Sequence, residues 1–181
     1  LAYPLQAWLI AVNRLAQHIV VGNWAFALAV ALLPLGYLVA VTNYHSDLQL
    51  PPGIPKAAVS AAPLPDLAAL ALLLWFGWRN RYNAQAHKRI MIMIACGLTD
   101  PAISRMPLWG DGPAGFVLAS VTIFLTTSPM WVWDMSTRRK IQVATRRGSG
   151  VLLVKLVGRV MIATTTGWAT FVALLPGFGT P

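Results

Sequence analysis

The fold class this sequence predicts is all-α: an integral membrane helical bundle of five complete transmembrane helices plus the end of a preceding one. Three observations lead there. Of 181 residues, 57% are hydrophobic and only 10% charged, against about 25% charged in an ordinary soluble domain. The apolar residues fall into stretches close to the roughly 20 helical residues that cross a hydrocarbon core about 30 Å thick. The cations gather at alternate ends of those stretches rather than along one continuous basic face.

Five stretches follow in order, at 18–41, 67–82, 90–107, 114–135 and 151–175. The opening segment 1–12 is apolar but short, and the sequence starts at Leu1 without methionine, so it reads as the tail of an earlier helix in a parent protein of six membrane helices. A secretory signal is disfavoured because Arg14 follows the apolar run instead of preceding it. Between the first two complete spans, residues 43–65 contain PPGIP and PLP, whose fixed proline dihedrals oppose regular helix and predict a surface loop. Asp66 directly follows Pro65 and is placed to cap the second complete span. Pro34, Pro101 and Pro129 each remove a backbone donor inside a span and predict kinks or local unwinding.

Orientation follows from the basic loops, because short loops rich in Lys and Arg stay cytoplasmic. One side collects ten cations, Arg14, Arg79, Arg81, Lys88, Arg89, Arg138, Arg139, Lys140, Arg146 and Arg147, while the other has only Lys56 and Arg105. Trp75, Trp78, Trp131 and Trp133 fall near the same boundary, at headgroup depth. The formal charge of +9 is thereby explained by topology and attraction to anionic lipid, and nucleic acid is not expected as a partner.

An ionisable side chain at mid-membrane costs about 2.5 to 3.5 kcal/mol on insertion scales, so each one asks for a partner. Four such groups stand out: Asp100, Asp134, Lys155 and Arg159. Lys155 and Arg159 share a helix face, continued by Ile162, Thr166 and Thr170. Ser120, Thr127 and Asp134 recur every seventh residue, and Arg89, Cys96, Asp100 and Ser104 occupy one sector of their helix. With Lys155 and Arg159 placed about 6 to 14 Å in from the cytoplasmic helix end, the expected buried pairs are Asp134 with Lys155 and Asp100 with Arg159. Such pairs fix helix register; an ion or proton path would use the same residues. A small-residue face of His18, Gly22, Ala25, Ala29, Leu32, Gly36 and Ala40 predicts close helix packing in the first complete span.

No catalytic set or metal site is expected: the sequence has no nucleophile elbow, HExxH, phosphate loop or dinucleotide fingerprint. A lone Cys96 excludes an internal disulfide and any multi-cysteine metal site. The segment from Gly148 to Gly150 is expected to be a flexible entry to the last helix. His45 lies in the outer loop, whereas His18 and His87 begin two different helices on one side, each beside cations. Those two are the cofactor candidates, since two imidazoles can ligate one haem b iron while nearby cations meet its propionates.

The segment AHKRIMIMIACGLTDPAISRMP (86–107) resembles an uncharacterised bacterial family of small polytopic inner-membrane proteins with an HKRLM-type helix start and an Ala-Ile-x-Arg end. RLAQHIVVGNW and WDMSTRRKIQVAT are similar to that family's second-helix entry and its segment between the last two helices. The resemblance places His18, His87, Arg105 and Asp134 at family motif positions and implies the absent start of the first helix. Where the family often has a further histidine this chain has Gln142, which argues against a three-histidine site. The family is distantly similar to cytochrome b type helical bundles, which keeps haem b in view, and the resemblance implies no activity.

The functional expectation is an inner-membrane protein without chemistry of its own, an accessory or assembly subunit of a larger respiratory or photosynthetic complex. Its partners would be the lipid bilayer and other membrane subunits. The alternatives are a haem-b redox protein using His18 and His87, and a small-solute or proton transporter using Asp100 and Arg159.

Overall fold

The computed structural model describes residues 2–47, 54–104, 106–109 and 113–179, and among these all regular structure is helical. Arg105, Asp111 and positions 48–53 of the expected outer loop lie outside the described residues. In chain order the helices are α1 (Ala2–Ala11), α2 (Leu15–His45), α3 (Pro63–Arg79), α4 (Ala84–Leu98), α5 (Asp100–Ile103), α6 (Pro113–Leu125), α7 (Ser128–Arg138), α8 (Val143–Ile162) and α9 (Thr166–Ala173). Short 3-10 turns at Lys56–Ala61 and Pro107–Trp109 join them.

The three expected proline effects separate. Pro34 sits inside α2, which continues unbroken for 31 residues. Pro101 and Pro129 instead fall just inside new helices, after breaks at Thr99 and at 126–127. At the second break the hydroxyls of Thr126 and Thr127 donate to the Ile123 and Phe124 carbonyls at 2.6 and 2.7 Å, taking up acceptors that a regular turn would have used. The span expected at 114–135 is therefore two helices, and the one at 90–107 is α4 followed by the single turn α5.

Two further expectations are corrected. The PLP segment does not stop a helix, because Pro63 and Pro65 stand in the first turn of α3, where backbone N–H groups have no intrahelical acceptor to lose. The segment Gly148–Gly150 is not a flexible entry but lies within α8. The span placed at 151–175 divides into α8 and α9, which meet at 102°. The Thr165 hydroxyl accepts from the Trp168 N–H at 3.2 Å and starts α9 on its new course.

Helices α3, α4 and α8 pack together as the centre of the bundle, with α2 against α3, α1 against α2, and α6 against α5 and α8. Their core is Leu73, Leu74, Ile90, Met93, Ile94, Cys96 and Leu152, against which Phe26, Ala29 and Leu33 of α2 lie. Close approach of α4 and α8 requires Gly148, where an added Cβ would stand 2.6 Å from Met93 Cγ. Gly36 does the same for α2 and α3, a Cβ there meeting Leu67 Cδ2 at 2.6 Å. Most of the small-residue face on α2 turns inward, although Leu32 is exposed and Leu33 makes the core contact in its place. At the other end of α2, Ala40, Ala57, Val172 and Phe178 form a second cluster beneath α9. It is tied by Trp168 Nε1 donating to the Ala57 carbonyl at 3.0 Å and Tyr37 donating to the Pro176 carbonyl at 2.7 Å.

Two helical stretches are long and apolar enough to cross a membrane: Leu15–His45, with mean hydropathy 2.2, and Lys56–Arg79, with 1.8. A third is reached if α8 and α9 count as one broken span. The remaining expected spans miss this criterion for physical reasons: α4 begins with Lys88 and Arg89 inside its first turns, and α6 and α7 are separate short helices.

Candidate functional site

The buried ionisable residues form two layers, one at each end of the α3–α4–α8 core. The first is centred on Asp134 of α7, which is fully buried. Arg89, 1% exposed, reaches it from the second turn of α4, its Nε donating to Asp134 Oδ1 at 3.0 Å. The same guanidinium donates to the Gln85 carbonyl at 2.8 Å and to Gln85 Oε1 at 3.0 Å. The second carboxylate oxygen of Asp134 accepts from the backbone N–H of Gln142, the N-cap of α8, at 3.0 Å and from Thr145 Oγ1 at 2.5 Å. One carboxylate thus ties α4, α7 and the start of α8, where the partial positive charge of the helix terminus favours it. One turn deeper Trp131 Nε1 donates to Ser149 Oγ at 2.8 Å, extending the tie between α7 and α8.

The second layer is centred on Asp100, 2% exposed, at the first residue of α5. Lys155 Nζ lies 2.7 Å and Arg159 Nη1 2.9 Å from its Oδ2. Lys155 Nζ also lies 3.2 Å from Asp66 Oδ1 of α3, and Arg159 Nη2 donates to Ser120 Oγ of α6 at 2.6 Å. Among the described residues two aspartates face two cations here, and the cluster joins α3, α5, α6 and α8. Between the layers, the chain from Arg89 of α4 to Asp100 of α5 spans about 16 Å at the helical rise, and that interval holds the apolar core.

The expected pairing of Asp134 with Lys155 is therefore corrected: Asp134 holds Arg89, and Lys155 holds Asp100 and Asp66. The reason is depth. Because α8 starts at Val143 rather than at 151, Lys155 and Arg159 stand about 18 and 24 Å along it, level with Asp100 and far from Asp134. Arg159 does meet Asp100. Asp66 does not cap α3, whose N-cap is Ala62; its carboxylate belongs to the Lys155 layer instead. The stripe expected to run on from Arg159 to Thr166 and Thr170 stops at the α8–α9 bend, beyond which both threonines are exposed.

Sequence reasoning missed Arg89 and Asp66 as members of these layers. The signal for Arg89 was present in the shared sector with Cys96 and Asp100, all three of which are buried. Nothing local marks Asp66, which is one helix turn inside an apolar segment and finds Lys155 only in three dimensions.

The two histidines go to different neighbours. The His87 ring, at the start of α4, places Nδ1 3.1 Å from the Gly77 carbonyl of α3. His18, in the first turns of α2, faces the Gln6 amide of α1, which also lies against the Gly22 N–H. His87 thus has Nδ1 on a carbonyl and Nε2 outside that bond, while His18 stands beside the Gln6 amide of α1. Among the described residues no group of three or more His, Cys or Asp side chains could hold a metal ion. Comparison of the chain with protein-family models, with curated proteins and with solved structures returned no match.

Proposed function

We propose that this chain is an integral inner-membrane protein, an accessory or assembly subunit that contributes structure rather than chemistry to a larger membrane complex of respiratory or photosynthetic type. The observation that carries the reading is α2. Across 31 residues only Ala40 is buried within the chain, and Trp24, Leu28, Leu35 and Leu38 are each more than half exposed. A helix with that surface is stable against lipid or another membrane helix and not against water. The five complete crossings are then α2, α3, α4 with α5, α6 with α7, and α8, with α1 packed against α2 and α9 near the plane of the membrane.

The two charge layers support a structural role, since each pairs acid with base across three or four helices. The α1–α2, α3–α4 and α7–α8 turns carry most of the exposed cations, Lys56 lying at the opposite end, and face the cytoplasm. Blue-native electrophoresis after extraction in mild detergent tests the subunit assignment. Migration within a larger assembly is expected, and migration solely as a free monomer would overturn it.

A second reading, a haem-b redox protein using His18 and His87, has the His87 contact with Gly77 in its favour, since it holds Nδ1 and leaves Nε2 outside that bond. A reduced-minus-oxidised spectrum of protein expressed with ample haem decides: a Soret band abolished by His87→Ala supports this reading, and a featureless spectrum removes it.

A further inference from the structure

We propose that the turn between α3 and α4 is a binding site for the headgroup of an anionic phospholipid. The inference rests on the membrane reading above but not on the assignment to a larger complex. The last turns of α3 present Leu72, Trp75 and Trp78 outward at helical spacing, each more than 40% exposed, and lead directly to Arg79, Arg81 and Tyr82. That face grades from apolar to cationic along the helix, the order in which a lipid presents its acyl chain and its phosphate.

The cationic end is already shaped. The Arg81 guanidinium lies 4.3 Å from the Trp78 ring centre and 4.4 Å from that of Tyr82. Its Nη1 donates to the Trp78 carbonyl and its Nη2 to the Tyr82 hydroxyl, both at 3.1 Å. Trp78 is in turn steadied by Phe26 of α2, ring centres 5.1 Å apart, and Arg79 stands over Trp75 at 5.9 Å. Holding a guanidinium between two rings removes much of the side-chain entropy that phosphate binding would otherwise cost.

No acid neutralises this end among the described residues. Asp134 is buried on Arg89, Asp66 and Asp100 belong to the opposite layer, and Asp47 follows the far end of α2. Lys88 and the exposed cations of the α7–α8 turn add to the same positive field. An acidic protein would match that charge but would not need the apolar grade below it, so the lipid is favoured.

The test titrates the full chain, purified in an uncharged detergent, with phosphatidylglycerol, phosphatidylcholine, inorganic phosphate or an oligo-aspartate peptide, and reads the melting temperature. Phosphatidylglycerol should raise it saturably and phosphatidylcholine should not. Each cation near an anionic surface contributes about fivefold in affinity, so the double variant Arg79→Gln with Arg81→Gln should bind roughly 25-fold more weakly. Lys88→Gln alone should lose about fivefold and Lys56→Gln nothing. Equal response to the two lipids, or an unchanged titration in both the double variant and Lys88→Gln, would overturn the proposal. A shift with oligo-aspartate but not with phosphatidylglycerol would assign the surface to an acidic protein, and a shift with phosphate equal to that with lipid would reduce it to a plain anion site; either overturns the lipid assignment. A monomer on the native gel leaves this titration unaffected, so the two readings fail separately.

Discussion

Replacing Asp100 by asparagine removes the charge on which the deeper layer is built while keeping the side chain's size. In the parent protein Lys155 and Arg159 share Asp100 Oδ2 at 2.7 and 2.9 Å, and both cations are about 3% exposed. Among the described residues Asp66 then stays in contact, at 3.2 Å from Lys155, and its side chain is 27% exposed. Removing one partner of a buried ion pair costs about 3 to 5 kcal/mol, mostly through the charge left uncompensated. At about 2 to 4 °C per kcal/mol for a chain of this size, Asp100→Asn should melt roughly 6 to 20 °C below the parent. Asp66→Asn, which removes the longer of the two Lys155 contacts and the more exposed acid, should cost less than Asp100→Asn. Adding Lys155→Met to Asp100→Asn removes one of the two buried cations that lose the Asp100 carboxylate and should recover part of the loss. Thermal unfolding in detergent followed by circular dichroism measures all four proteins. An Asp100→Asn protein that melts within about 2 °C of the parent would refute the register-lock argument. If that variant also lost solute or proton flux in vesicles, the layer would be a transport path instead.

Three other outcomes follow from the packing. Gly148→Ala places a Cβ 2.6 Å from Met93 Cγ and 3.0 Å from its Cβ, and overpacking of this kind should cost about 1 to 3 kcal/mol, read as a lowered melting temperature; Gly150→Ala, with nothing within 4 Å, should be neutral or slightly stabilising. Arg89→Gln strands Asp134 and should destabilise about as much as Asp100→Asn, whereas exposed Lys88→Gln should leave the melting curve of the lipid-free protein unchanged. Trp168→Phe deletes the donor to the Ala57 carbonyl and should loosen α9, seen as faster amide exchange there without global unfolding.

The sequence carries the helical class and the inward face of α2 because both are one-helix properties, set by hydropathy and by spacing around a single axis. Residue pairs between helices were less legible, since they depend on where each helix begins. An eight-residue error at the start of α8 was enough to move Lys155 from the level of Asp100 to that of Asp134. The bend before α9 escaped notice because hydropathy runs through it without interruption, and only the Thr165 cap and the docking of Trp168 on Ala57 mark the turn. Gly148 read as flexibility because its partner, Met93, is remote in sequence.

The central claim is that lipid surrounds this bundle and that its basic turns share one face. Lys56→Cys and Arg147→Cys place single exposed thiols beyond opposite ends of the core, against a buried native Cys96 that stays silent to a membrane-impermeant maleimide. Labelling of Lys56→Cys in intact cells, with Arg147→Cys labelled only after permeabilisation, is the expected result. Equal labelling of both from one compartment, or recovery of the protein in the soluble fraction, would contradict the account.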